Sequence, residues 1–68
     1  MSYKEARIKA GKRVVEVAEH MGCHRITVYQ WEEGVTNPAV SKLPALAKFY
    51  GCTVDELLQG NPIRNGVQ

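Results

Sequence analysis

The sequence predicts an all-α fold, a compact bundle of five short helices, and three observations carry that prediction. Apolar residues recur at helical spacing: Val14, Val17, Ala18 and Met21 stand at i, i+3, i+4 and i+7. Glycines fall where such stripes end, at Gly11, Gly22, Gly34 and Gly51, and a glycine closes a helix in the left-handed conformation without a Cβ penalty. The chain has 68 residues. A domain of that size buries only about 60% of the surface it exposes when unfolded, so a small helical core is the economical solution.

In order along the chain, the first helix is expected over Tyr3 to Ala10. Ser2 is its N-cap, and Tyr3, Ala6 and Ala10 face inward. The second carries the stripe beginning at Val14 and stops at Gly22. The third fits Arg25 to about Glu33, with Val28 and Trp31 as its inward pair and Gly34 as its stop. Two short helices joined by a three- to four-residue turn containing glycine have the arithmetic of a helix-turn-helix. A loop follows, where Pro38 forces Asn37 out of the α region. Ser41 is then expected to cap a fourth helix reaching Tyr50, with Pro44 in its first turn and Leu43, Leu46, Ala47 and Tyr50 inward. Thr53 and Glu56 form a capping box for a short fifth helix holding Val54, Leu57 and Leu58.

The outward side of the third helix is chemically unusual. Arg25, Ile26, Tyr29, Gln30 and Glu33 share one side, where a solvated face would be dominated by charged and polar groups. An Arg bonds guanine edges bidentately, a Gln pairs with adenine, and Ile or a Tyr ring meets a thymine methyl. Packing of Ile26 and Tyr29 against a neighbour or a dimer partner is the alternative, since exposed apolar residues are common. The charges give a second sign. Lys12 and Arg13 stand at the start of the second helix, His24 and Arg25 at the start of the third, and Glu32 and Glu33 at its end. That order opposes the helix dipole, at roughly 0.3–1 kcal/mol per residue. Phosphate at each helix start reverses the sign.

From about Tyr3 to Leu58 the chain resembles the phage-repressor/Cro-type (XRE-like) helix-turn-helix family. The resemblance rests on Ala6, Arg7, Ala10 and Gly11; Val17, Ala18, Met21 and Gly22; and Thr27 to Gly34. It continues through Asn37 and Pro38, Leu43 to Ala47, and Gly51 to Leu58. It implies a lambda-repressor-like DNA-binding domain whose third helix reads bases with Arg25, Ile26, Tyr29 and Gln30. Thr27 is expected on a phosphate or at the groove edge, and Lys12, Arg13, His24, Asn37 and Lys42 on the backbone. For Asn37, simple shaping of the turn is an equal alternative. The resemblance also implies an ion pair between Arg7 and Glu32, architectural rather than chemical. Three positions depart from the family pattern. Arg13 replaces a capping Ser/Thr, His24 replaces another, and Val14 stands where a DNA-contacting glutamine is usual and can offer DNA only apolar contact.

Other classes fare worse. No serine, cysteine or acid pair has a partner at catalytic spacing, and there is no glycine-rich phosphate loop, so no enzyme is expected. Nor is a cofactor or small-molecule ligand. His20, Cys23 and His24 lack a fourth ligand at any zinc spacing, so no metal is assigned. Cys23 and Cys52 read as reduced, small hydrophobes. No stretch approaches the ~20 apolar residues of a membrane span, and the N-terminus lacks the apolar core of a signal peptide; a cytoplasmic location is expected. Net charge is +2. Residues 1–25 hold six Lys/Arg against three Glu, leaving +3, and the remainder holds three against four, leaving −1. That asymmetry suits a nucleic-acid surface in the N-terminal half.

The expectation is therefore a sequence-specific double-stranded DNA-binding regulator, a repressor, acting as a homodimer on a palindromic operator. Residues 1–60 would form the domain and 61–68 a tail, with the fifth helix and tail as the dimer interface. The alternative is a protein-interaction module such as the antitoxin of a toxin–antitoxin pair.

Overall fold

The computed structural model describes residues 1–60; residues 61–68, with the expected tail and its share in a dimer contact, lie outside the described residues. Among the described residues five α-helices follow one another: α1 (Tyr3–Lys9), α2 (Val14–Met21), α3 (Arg25–Glu33), α4 (Leu43–Tyr50) and α5 (Val54–Leu58). A single 3-10 turn (Val40–Lys42) precedes α4.

Three of the helices, α1, α2 and α5, begin where a side chain accepts from a backbone N–H at the helix start. Ser2 caps α1 and Thr53 caps α5, each accepting from a backbone N–H three residues on at 3.1 Å. The carboxylates return the bond. Glu5 accepts from the Ser2 N–H at 2.9 Å and Glu56 from the Thr53 N–H at 3.0 Å. For α2 only the returning half exists: Arg13 has no acceptor to offer, and Glu16 accepts from the Arg13 N–H at 2.7 Å. The start of α4 corrects the sequence expectation. Ser41 is not a cap but lies inside the 3-10 turn, which opens at Ala39 and hands over to α4 at Lys42. Pro44 has no N–H to leave unpaired there, and the Leu43 N–H returns to the Val40 carbonyl.

The core gathers one face from every helix. Tyr3 and Ala6 come from α1, Val14, Val17 and Ala18 from α2, and Val28 and Trp31 from α3. Leu43, Leu46, Ala47 and Tyr50 come from α4 and Leu57 from α5. These are the predicted stripes. Met21 and Ala10 pack at the edge, partly buried. Between α2 and α3, Gly22 adopts φ +69° and ends α2, and its N–H returns to the carbonyls of Ala18 and Glu19. A Cβ at Gly22 would meet nothing within 4 Å. The left-handed backbone, not crowding, is thus the reason for glycine at this turn.

The capping carboxylates make stability depend on acid. The backbone N–H each accepts holds Glu5, Glu16 and Glu56 below their ordinary value of 4.5. Their contribution is complete above the unfolded value and is lost as pH falls through the lowered folded values. Thermal unfolding followed from pH 7 to pH 3 should show midpoints falling below about pH 4.5. The triple variant Glu5→Gln, Glu16→Gln, Glu56→Gln should show a shallower acid limb.

Candidate nucleic-acid interface

The third helix is positioned by its inner edge. Val28 is fully buried and Trp31 nearly so, at 0% and 5% exposure. Next to Trp31, Glu32 meets Arg7 of α1 in a two-pronged ion pair. Arg7 Nε donates to Glu32 Oε2 at 2.6 Å and a terminal guanidinium nitrogen to Oε1 at 3.2 Å. The other terminal nitrogen donates to the Lys12 carbonyl at 3.2 Å. One guanidinium therefore ties α1, the α1–α2 turn and α3 together. The two side chains are 13% and 6% exposed, and the hydrogen bond to Glu32 raises the already high pKa of Arg7. Tyr50 packs nearby, its hydroxyl pushed up first by burial and then by the Glu32 charge.

With that edge inside, the other side of α3 faces out. Ile26 is 59% and Tyr29 49% exposed, and Arg25 and Glu33 are exposed too. Thr27 and Gln30 are half-buried at the flanks. His24 is the exposed N-cap residue of α3 but makes no side-chain cap bond. The first turn of α3 has no acidic residue and the last turn no basic one. The unfavourable charge order expected from sequence is thus real for α3. For α2 it is offset, because Glu16 occupies the first turn and His20 the last.

The basic side chains around this face are not all idle. Arg13 lies 3.6 Å from Glu16, but both are well exposed, and such a pair holds weakly. Lys12 sits with its ammonium 4.6 Å from the centre of the Phe49 ring, a cation–π contact. Phe49 is also stacked on His20 at 4.0 Å with ring planes 9° apart, and tilted against Tyr50 at 6.2 Å. Asn37 and Lys42 are exposed on the α3–α4 connection, and Pro38 beside Asn37 is buried and anchors that loop.

Val14 is 7% exposed and belongs to the core, as its place in the α2 stripe predicts. Its neighbour Val15 is the exposed one, at 46%. Val15 shares a groove with Ala18, Glu19, Cys23, His24, Arg25 and Ile26. Sequence reasoning passed over Val15, Glu19 and Phe49. The signal was present, since Val15 and Glu19 fall off the buried stripe of α2 and Phe49 off that of α4. Among the described residues no cluster of His, Cys, Asp or Glu is able to hold a metal ion. Cys23 and Cys52 are free and partly buried. No helix there is long and apolar enough to cross a membrane.

A glycine turn between α2 and α3, a buried inner edge and an exposed, mixed outer face on α3 together define a helix-turn-helix domain. The helix-turn-helix family profile matches residues 4–57, and the chain belongs to the phage-repressor/Cro-type branch of that family. It is 31% identical over 62 residues to the HTH-type transcriptional activator BcrR of Enterococcus faecalis. That similarity covers 88% of this chain and 30% of the relative's length.

Removing half of the Arg7–Glu32 pair leaves a charge in a largely buried site. Arg7→Ala should lower unfolding free energy by roughly 3 kcal/mol, measured by urea titration. The double change Arg7→Met, Glu32→Leu should lose less than the single one. A loss below about 1 kcal/mol in Arg7→Ala would reduce the pair to an ordinary surface contact.

Proposed function

We propose that the chain binds double-stranded DNA sequence-specifically, with α3 in the major groove, and so regulates transcription. The observation that carries this is the contrast across one helix. Val28 and Trp31 are sealed in while Ile26 and Tyr29, directly opposed, are about half exposed. They are flanked by Arg25 and Gln30, and the helix start carries no neutralising acid. Family membership supports the same reading. Arg25, Ile26, Tyr29 and Gln30 read base edges from the groove. Lys12, Arg13, His24, Thr27, Asn37 and Lys42 contact the backbone or groove edge and set the register.

The nine residues of α3 span ~13 Å at 1.5 Å each, enough for about four or five base pairs. Specificity then requires two copies, bound as a homodimer on an inverted repeat with half-sites about 34 Å apart. The exposed Leu58 on α5 makes that helix the candidate symmetric contact. Repression is the simplest output, since occupancy of an operator blocks access without a second surface. The Enterococcus relative carries the name of an activator, and operator placement decides between the two outcomes.

A protein-interaction module, such as an antitoxin domain, is the second reading. It is favoured by the apolar character of Ile26 and Tyr29. Salt separates the two. Selection from randomised duplexes should return a two-fold symmetric motif. Its affinity should fall with salt at a log–log slope of about −0.9 per phosphate neutralised. A hydrophobic protein partner would respond little.

Arg25→Ala should weaken cognate binding by ~1–3 kcal/mol and relax preference at one base pair; equal loss on every sequence would make Arg25 a phosphate ligand. Arg13→Ala should lower affinity evenly across sequences and flatten the salt slope by about 0.9 per subunit. Unchanged affinity would remove Arg13 from the backbone set.

A further inference from the structure

Lys12, just before α2, is held at both ends of its side chain. Its backbone is clamped by Arg7. The Lys12 N–H donates to the Arg7 carbonyl at 3.1 Å, and the Lys12 carbonyl accepts from the Arg7 guanidinium at 3.2 Å. At the far end of the stem, the ammonium lies 4.6 Å from the centre of the Phe49 ring. The ring is fixed in turn, stacked on His20 of α2 and tilted against Tyr50, a core residue of α4. A lysine on a protein surface ordinarily keeps its rotamer freedom, and ordering it opposes binding.

We infer that Phe49 is a positioning residue for DNA binding, its ring holding the Lys12 ammonium ready for a backbone phosphate. The inference rests on the DNA-binding reading and adds a residue of α4 that acts through Lys12. The choice of a ring as the holder is what points to this role. A cation held by a carboxylate is ordered but neutralised, and a phosphate must displace the carboxylate to reach it. Arg7 is held in that way by Glu32, and Arg13 loosely by Glu16. Among the described residues the Lys12 ammonium forms no ion pair with a carboxylate. It rests on the ring although Glu16 and Glu19 line the same cleft as Lys12, His20 and Phe49. An aromatic face attracts a cation through its quadrupole and leaves the charge in place. The ammonium carries more than one N–H donor, and the ring engages it from one side. Lys12 is partly exposed. It is therefore ordered, fully charged and open to an acceptor at the same time.

The test uses the whole chain and the duplex returned by selection, with binding compared well below the lowest unfolding midpoint of the proteins used. Lys12→Ala should lose affinity evenly across sequences and flatten the salt slope by about 0.9 per subunit, the share of one phosphate. Phe49→Leu stays apolar but has no quadrupole. It should bind about three- to tenfold more weakly per subunit, the cost of ordering one long side chain. Its salt slope should match the wild type's, because the lysine still reaches the phosphate. Phe49→Tyr keeps the ring and should keep the affinity. In a Lys12→Ala background, Phe49→Leu should cost nothing further, whereas a merely structural role would lower affinity there as well. If Phe49→Leu binds as tightly as the wild type or tighter, the ring is idle or sequesters the lysine. If its loss persists without Lys12, the role is structural. If Lys12→Ala keeps full affinity and slope, there is no phosphate contact to position. Each of these outcomes overturns the inference while DNA binding stands. If no duplex is bound at all, the DNA-binding reading falls first and the positioning role with it.

Discussion

The orientation of α3 depends on which of its residues the core accepts, and Arg7 fixes that choice. Val28 and Trp31 alone would bury an apolar stripe but leave the helix free to roll by a fraction of a turn. The guanidinium of Arg7 prevents this. It grips Glu32 with two nitrogens and the Lys12 carbonyl with the third. A planar fork held at three points defines direction as well as distance, which a lysine ammonium would not do. Everything proposed for the outer face follows, because the exposure of Ile26 and Tyr29 is the complement of the burial of Val28, Trp31 and Glu32.

The electrostatics of the face are modest, and the structure shows how the cations are held. Lys12 lies over Phe49, and Phe49 is stacked on His20. A lysine that already rests on a ring loses less side-chain freedom when it meets a phosphate than one waving in water. Arg13 is different. Its neighbour Glu16 also caps α2 through the backbone, so the residue that begins the helix and the one that stabilises it carry opposite charges. Binding phosphate at this helix start competes with a weak, exposed ion pair and not with a buried one. The arrangement gives α2 a satisfied start in the absence of DNA while leaving its cation available.

Most of the fold was legible because it is built from local rules. The stripes at Val14, Val17 and Ala18, and at Leu43, Leu46, Ala47 and Tyr50, are buried as periodicity requires. Capping at Ser2 and Thr53 follows from residue type. The failure at Ser41 came from tertiary constraint. Ser41 is a good cap in isolation, but buried Pro38 and the route of the loop start the turn two residues before it, at Ala39. Val14 stands where the family pattern has a glutamine, and its spacing with Val17 and Ala18 already placed it in the core, where it is 7% exposed. That Val15 and Ile26 line one groove was not legible, because each is exposed on its own helix and periodicity within one helix says nothing about its neighbour.

Charge bears on how so small a domain would discriminate among sequences on the proposed reading. With a net charge of only +2, long-range attraction to DNA is limited, and a large nonspecific affinity is not available to be modulated. Contacts made at short range must then separate one sequence from another. A polar base edge is read by hydrogen bonds whose alternative, in water, is nearly as good. An apolar methyl is read by the exclusion of that water. On the proposed reading, a nine-residue helix with few charges around it therefore separates sequences by the mixed chemistry of its outer face, Arg25 and Gln30 for polar base edges and the exposed Ile26 and Tyr29 for apolar ones.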